Sequence, residues 1–304
     1  MEDTFIVVVN WNGGGLLPAC LDALRAQVPP GAILVVDNGS SDDSAAVVAA
    51  RPGVRWLPLG ANTGFSPAAN AGLRQALLAG ARFVALVNTD VVLAPGWLAA
   101  LRADADRHPR AGLWNGLLTF EDDPLTVNST GLVFDRWLRA RDRDFGRPLA
   151  ALDRPAGTVP GVTLGAALLR ASALRRTGLL DPAFFAYCED ADLSLRAARA
   201  GVGCRYVPAA RARHGYARTS GAGSPLQRYL LARNHLRVAA RHLPLAWAAA
   251  AVPGLALLRA AVAAPRAALR GGRAHGLAQL RAARDGLALG GEALRLRLAA
   301  AIRP

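Results

Sequence analysis

Short apolar runs alternate with amphipathic segments along the first ninety residues. "TFIVVV" is followed by a helical pattern near Leu17–Ala26, "AILVVD" by one near Ser44–Ala50, "VRWLPL" by one near Ala68–Ala79, and "FVALVN" closes the series. Strands that alternate with helices predict βαβ units, and hence a mainly parallel sheet with helices on both faces. In open sheets of this kind ligands sit beyond the carboxyl ends of the strands. The polar residues that close these four strands fall at that rim: Asn10 and Asn12, then Asp37 and Asn38, then Asn62, then Asn88 and Asp90.

The fourth strand poses the sharpest question. In "LVNTDVVLAP" the apolar run Leu86–Val87 breaks at Asn88, Thr89 and Asp90 and resumes at Val91. A carboxylate there is costly unless something pairs with it. Each rim segment also has a plain reading. Asn, Thr and Asp favour turns, "VVDNGSSDDS" allows a turn followed by a helix cap at Ser40 or Ser41, and the glycines of "NWNGGG" lack the spacing of a dinucleotide site. A run of independent turns does not explain their succession at one rim.

The middle of the chain, from "TFEDDPL" to "LDRPAG", is charged, aperiodic and interrupted by Pro124, Pro148 and Pro155, which predicts short strands and long loops. Apolar packing resumes at "VTLGAALLRASAL", where Gly161 and Gly165 mark points of close backbone approach. In "YCEDADLSLRAARAG" the positions Leu193, Arg196, Ala197 and Ala200 predict a helix ending at Gly201. Glu189, Asp190 and Asp192 crowd its first turn. Acids there each stabilise a helix by roughly 0.3–1 kcal/mol, but three in four positions exceed that need. Mutual repulsion raises a carboxyl pKa while the helix end lowers it, so sequence leaves the balance open. Phe184, Phe185 and Tyr187 would wall the acids on one side.

Composition narrows the function. With 304 residues, 52% hydrophobic and 19% charged, the chain has ample material for a core. The net charge of +14 is uneven: thirteen Arg face only Asp285 and Glu292 from Pro225 onward. Aromatics and glycines do not interleave with these Arg residues, and no nucleic-acid motif is legible, which argues against a nucleic-acid partner and for a membrane surface. Cys20, Cys188 and Cys204 lack metal-ligand spacing and suit a reducing compartment. The start "MEDTFIVVVNWNGGG" does not read as a signal peptide, so a cytoplasmic protein is expected.

Taken in order, "VVVNWNG", "VVDNGSSDDS", "ANTGFSPAANAGL", "ALVNTDVVLAPGWL", the segment from "LGAALLR" to "LRAARAG" and "RYLLARNHL" resemble the family 2 inverting glycosyltransferases, especially bacterial members similar to rhamnosyltransferases. The resemblance covers about residues 4 to 240. It implies a GT-A fold, a Rossmann-like mainly parallel sheet flanked by helices, followed by a helical C-terminal region. It also implies a nucleotide diphosphate sugar donor, a glycan or lipid-linked acceptor, and Mn²⁺ or Mg²⁺ as cofactor.

Residue by residue, the resemblance makes Asp37 a contact to the base or ribose, with Asn10 and the Asn62 segment completing that pocket. Asn88-Thr89-Asp90 stands at the family's Asp-x-Asp position, with Asp90 holding the metal and Asn88 replacing the first acid. Asp190 would be the general base, and Glu189 would orient it or the acceptor. His214, in "RHGYARTSG", would be a further metal or diphosphate contact, although a lone His in a polar loop is ordinarily just solvated. Arg233 and Asn234 would lie toward the acceptor, although Arg on an amphipathic helix is ordinarily surface. The competing readings are a sugar nucleotidyltransferase with a related core and a noncatalytic nucleotide-sugar or nucleic-acid binding protein.

Two domains are expected: 1–240, the GT-A domain, and 241–304, a basic amphipathic helical region. "LPLAWAAAAVPGLALL", Leu243 to Leu258, is shorter than the roughly 20 residues that span a bilayer, and Pro253-Gly254 is expected to break it. It would lie on or dip into the inner face of the cell membrane, with an oligomer contact as the alternative.

Overall fold

The computed structural model describes residues 3–215 and 223–302, with no side-chain detail beyond 299. The chain forms two compact units. The first comprises Met1–Val133, Arg141–Phe185 and Glu189–Thr219, and the second Phe134–Ala140, Ala186–Cys188 and Ser220–Pro304.

The first unit opens with β1 (Thr4–Asn10), α1 (Leu17–Arg25), β2 (Ile33–Asp37), α2 (Ser44–Ala49), β3 (Val54–Pro58), α3 (Phe65–Leu78) and β4 (Phe83–Asn88). These are the βαβ units that the alternating pattern predicts. β1 pairs in parallel with β2 and β4, and β2 with β3. Because successive side chains point to opposite faces, the strands fill two cores. Ile6, Val8, Ile33 and Val35 meet Leu17, Leu21 and Leu24 of α1 on one side. Val7, Leu34 and Val36 meet Ala68, Leu73 and Ala76 of α3 on the other.

The remaining strands of the sheet are β5 (Val91–Leu93), β6 (Ala111–Phe120), β7 (Val127–Ser129), β10 (Gly157–Val159), β11 (Ala166–Arg170) and β12 (Gly203–His214), with α4 (Trp97–Arg107), α5 (Ala171–Thr177) and α6 (Glu189–Arg199) between them. β8 (Leu132–Phe134) and β9 (Ala140–Asp142) form a separate two-stranded ribbon. The sheet order is β10-β12-β6-β11-β4-β1-β2-β3. β11 runs antiparallel to both β4 and β6, and β10, β5 and β7 are likewise antiparallel to their partners. The sheet is thus parallel where helices carry the crossovers and antiparallel where short strands return through loops, so as a whole it is mixed.

One local expectation changes in this unit. The helix after β2 does not cap at Ser40 or Ser41: it starts at Ser44, whose backbone N–H donates to Asp42 Oδ1 at 3.2 Å, and Ser40 instead turns back onto Asp37.

In the second unit, α7 (Pro225–His242) packs with α8 (Leu245–Leu258) and α10 (Arg273–Ile302) around Ala239, Ala240, Leu243, Ala248, Val252 and Ala293. The expected division at residue 240 falls inside α7, which belongs whole to this unit. Pro253-Gly254 does not break the apolar segment. α8 runs through Pro253, a π-helical turn follows at Arg259–Ala263, and α9 (Ala264–Gly271) continues it. The flanking Ala and Leu residues favour helix on both sides.

Candidate active site

The carboxyl ends of β1, β2 and β4 place the predicted rim residues side by side. Asn10 is fully buried, and its Nδ2 donates to Asp37 Oδ1 and to Ser40 Oγ, both at 3.0 Å. Ser40 donates its backbone N–H to Asp37 Oδ2 at 3.1 Å. Asp37, at the end of a fully buried strand, is therefore held by the turn that follows it. Asn10 Oδ1 is a buried acceptor without a partner among the described residues.

Asn62 joins the same rim through Asn38, whose Nδ2 donates to Asn62 Oδ1 at 3.0 Å, while Thr63 N–H donates to Asn38 Oδ1 at 2.9 Å. Gly64 follows at φ +92°, where a Cβ would also fall 2.5 Å from the Phe185 ring. Only glycine suits both demands.

Asp90 answers the question raised by its strand. It is 8% exposed, and His214 Nε2 lies 3.3 Å from its Oδ1. His214 is the last residue of β12, paired with β5, so the sheet carries both side chains to one place. His214 Nδ1 in turn lies 2.9 Å from Asn128 Oδ1. The remainder of the "RHGYARTSG" motif after Gly215 lies outside the described residues.

Asn88 ends β4, with its backbone N–H donated to the Gly165 carbonyl. A Cβ at Gly165 would lie 3.4 Å from His214 Cε1 and 3.7 Å from Asn88 Nδ2, ordinary contact distances, so Gly165 borders both side chains without the close approach expected of it. For a divalent ion with ligands near 2.1 Å in octahedral array, neighbouring donors stand about 3 Å apart. The Asp90–His214 pair fits that spacing. Among the described residues no group of three or more His, Cys, Asp or Glu is placed to hold a metal. The remaining ligands would have to come from diphosphate oxygens and water, as is usual for Mg²⁺ with one or two protein ligands.

The three acids of α6 separate into distinct environments. Asp192 is fully buried and accepts from Arg196 Nε at 2.8 Å. Glu189 is 9% exposed, and its Oε2 has no partner among the described residues. Burial, and then the Asp190 charge, push its carboxyl up to about 8. Asp190 is half-buried, with protein atoms crowded around its carboxyl. That desolvation, and then the Asp142 carboxylate, push it up to about 7, against the opposing bond from Ala191 N–H at 2.7 Å. Desolvation and like charge therefore outweigh the helix end, and the last proton of the pair leaves well above the usual carboxylate range.

Asp142 is the residue that sequence reasoning missed. It ends β9, its carboxyl accepts from the Ser129 hydroxyl and is raised by burial, and it interacts electrostatically with His214 and with Asp190. Only its position in the short β9 distinguishes it from the other charges of "RARDRDFG".

Arg233 and Asn234 lie next to each other in α7. Asn234 is fully buried. Its Nδ2 donates to the carbonyls of Ala186 and Tyr187 at 2.7 and 2.8 Å, and its Oδ1 accepts from Arg233 Nε. Arg233 also lies over the Tyr229 ring. These bonds hold a strained stretch: Tyr187 and Cys188 have φ of +69° and +70°, which costs non-glycine residues roughly 1–3 kcal/mol each. Asn234 thus holds the carbonyls of Ala186 and Tyr187 in place.

A mixed α/β sheet of this order, flanked by helices and with polar turns at its rim, defines the GT-A class. The solved structures agree on the fold. GalNAc-T7 with UDP, GalNAc and Mn²⁺ superposes with a TM-score of 0.60 at 17% identity, over 77% of this chain and 47% of that one, so the chain spans about half its length. The mannosyltransferase PcManGT from Pyrobaculum calidifontis, with GDP-Man and Mn²⁺, gives 0.51 at 18% identity over 99% and 76%. S. aureus TarS gives 0.55 at 15% identity over 94% and 55%.

The model of glycosyl transferase family 2 matches residues 5–178. An N-acetylglucosaminyl-diphospho-decaprenol L-rhamnosyltransferase of Mycobacterium tuberculosis, from strains CDC 1551 / Oshkosh and ATCC 25618 / H37Rv, is 32% identical over 242 residues, 71% of this chain and 77% of the relative. The chain belongs to glycosyltransferase family 2.

Proposed function

We propose that the protein is an inverting glycosyltransferase that moves a sugar, L-rhamnose, from a nucleotide diphosphate donor to a lipid-linked diphosphate-sugar acceptor of the cell envelope. The observation that carries this reading is the pairing of two ends in one unit: Asp90 with His214, and a raised Asp190 beside Asp142. Family membership removes the nucleotidyltransferase and noncatalytic alternatives, and the mycobacterial relative supports the sugar and the acceptor class.

In this reading Asp37, Asn10 and the Asn62 turn receive the nucleoside, and Asp90 and His214 hold a divalent cation against the donor diphosphate. Mn²⁺ or Mg²⁺ bound there offsets the charge that builds on the departing nucleoside diphosphate. Asp190 takes the proton from the acceptor hydroxyl as its oxygen bonds to the anomeric carbon. The bond from that carbon to the diphosphate breaks on the opposite face, so one displacement inverts the configuration. Its raised pKa suits it to accept a proton near neutrality. Glu189 orients the acceptor or the base.

The second unit supports a place at the cytoplasmic face of a membrane. Leu245–Gly271 is one helical run of 27 residues that contains an 18-residue window of mean hydropathy 1.7, 22% of that window being buried in the protein, and it is long and apolar enough to cross a membrane. Trp247, Leu257, Leu258 and Leu269 are 55% to 87% exposed. An apolar face beside a surplus of Arg matches binding to anionic lipid.

The test is a panel of nucleotide-activated sugars offered to purified protein with and without Mn²⁺ or Mg²⁺, following nucleoside diphosphate release. Release from one donor class, lost with EDTA and with Asp90→Ala, is the expected result. Metal-independent turnover by Asp90→Ala would remove the metal role from the reading.

A further inference from the structure

The turn between β8 and β9 belongs to the second unit and is rich in cations. It carries Arg136, which lies 5.3 Å over the Trp137 ring, and Arg139, both exposed. The one acid of the turn, Asp135, is already engaged: its Oδ1 accepts from the backbone N–H groups of Trp137 and Arg139 at 2.8 and 3.0 Å.

Against this turn, within the same unit, stands a buried pair. His235, in α7, is 6% exposed, and its Nε2 lies 2.9 Å from the Trp137 carbonyl, which has no proton to give. Nε2 therefore carries the ring proton, and Nδ1 presents a lone pair. Arg259 Nη2 donates to that lone pair at 2.8 Å. Burial, and then the Arg259 charge, lower His235 to about 4 and so keep it neutral. Arg259 is thus a half-buried guanidinium whose only hydrogen-bond partner among the described residues is an uncharged ring, and its Nε is buried with none. The groups that act on it electrostatically are Arg139 and Cys188, with no carboxylate among them. Desolvating a cation costs more than a bond to a neutral group offsets, so buried cations ordinarily come with an anion.

The position of Arg259 in the chain selects the anion. It directly follows the uncharged helix Leu245–Leu258 and opens the π turn Arg259–Ala263. Leu257 and Leu258, beside it, are exposed. Where such an apolar run enters a membrane, a cation at its end settles at headgroup level, and phosphate is the anion found there. π turns inside helices also recur at functional sites.

We propose that Arg259 and Arg139 form a binding site for the diphosphate headgroup of a membrane lipid, with Leu257 and Leu258 against its chain. Guanidinium groups suit phosphate oxygens, and two of them suit a diphosphate. His235 holds Arg259 in place without neutralising it. On the acceptor class proposed above, on which this step alone rests, that lipid is the acceptor.

The test is co-sedimentation of the full chain with three kinds of vesicle: phosphatidylcholine alone, phosphatidylcholine with polyprenyl diphosphate, and phosphatidylcholine with phosphatidylserine at matched charge. Inorganic pyrophosphate is added as a competitor. Wild-type protein should prefer the diphosphate vesicles. Arg259→Gln should bind them about 10–100-fold more weakly, the range for a charge-assisted bond, with binding to phosphatidylserine vesicles within twofold of wild type. Arg270→Gln, exposed on α9, should lower binding to both anionic vesicles alike. In transfer assays Arg259→Gln should raise the acceptor KM by the same factor and leave kcat and the donor KM unchanged, a split that a merely structural role would not give.

Arg259→Gln that binds diphosphate vesicles within twofold of wild type, or that loses both anionic vesicles equally, overturns the proposal. Arg259-dependent binding of free pyrophosphate as tight as that of the vesicles overturns the lipid as ligand. Arg259-dependent vesicle binding by a wild-type protein that transfers no sugar supports the site and removes the acceptor reading. Should Arg259→Gln fail to fold, the exposed Arg139→Gln decides: it should weaken diphosphate binding severalfold, and an unchanged preference overturns the proposal.

Discussion

Asp192 and Asp190 sit two residues apart on α6 and should respond to the same Asp→Asn change in opposite ways. Asp192 is fully buried against Arg196, whose guanidinium is itself 14% exposed, at 2.8 Å. Breaking a buried pair leaves an uncompensated charge and typically costs 3–5 kcal/mol. Arg196 retains bonds to the carbonyls of Thr177 and Gly178, so the lower end, about 3 kcal/mol, applies to Asp192→Asn. At roughly 2–4 °C per kcal/mol for a unit of this size, the melting temperature should fall by roughly 6–12 °C. The folded fraction should still turn over within a few-fold of wild type.

Asp190→Asn should do the reverse. It removes a positioned base, worth about 10²–10⁴ in kcat, while donor affinity stays within a few-fold. It also removes a carboxylate that is costly to ionise where it lies, so stability at pH 8 should hold or rise. Urea unfolding and steady-state kinetics on both variants, corrected for folded fraction, give the four numbers needed. An Asp190→Asn protein with kcat within tenfold of wild type, or an Asp192→Asn protein of unchanged stability and abolished kcat, would refute the assignment of roles.

Four further outcomes follow from the same structure. With Asp190 raised to about 7, kcat should climb with pH through that region as the base loses its proton. Because Glu189 and Asp190 are both raised in the folded state, their stabilising contribution is complete below the ordinary carboxylate range and is lost as pH rises toward 8, which urea midpoints at pH 5 and pH 8 will show as a decline. Asn234→Ala removes two bonds to the strained 186–187 carbonyls and should cost about 2–4 kcal/mol by urea unfolding, and a neutral result would contradict its holding role. Full-length protein should sediment with anionic vesicles and retain part of that binding in high salt, since Trp247, Leu257 and Leu258 supply an apolar contribution that salt does not screen; indifference to anionic lipid together with dimerisation would make the tail an oligomer contact.

What sequence disclosed and what it hid divide along physical lines. Strands β1 to β4 and their helices were legible because apolar periodicity and turn chemistry point the same way there, and the polar closing residues meet at one rim as the parallel arrangement requires. Asp142 and Asn128 were not legible. They lie in three-residue strands, too short for any period, and gain their meaning only from packing beside His214 and Asp190. The burial of Asn234 was not legible either, because it depends on the carbonyls of Ala186 and Tyr187, far away in the chain. Pro253 misled for the opposite reason: a strong local breaker was overridden by the helix-forming Ala and Leu residues on both sides.

The central claim is most directly tested by transfer itself. Purified protein, Mn²⁺, nucleotide-activated L-rhamnose labelled in the sugar and an N-acetylglucosaminyl-diphospho-polyprenyl acceptor should give a labelled lipid whose new linkage has the anomeric configuration opposite to the donor's, and neither Asp90→Ala nor Asp190→Asn should form it at a comparable rate. A product with retained configuration, or equal transfer by Asp190→Asn, would contradict the account.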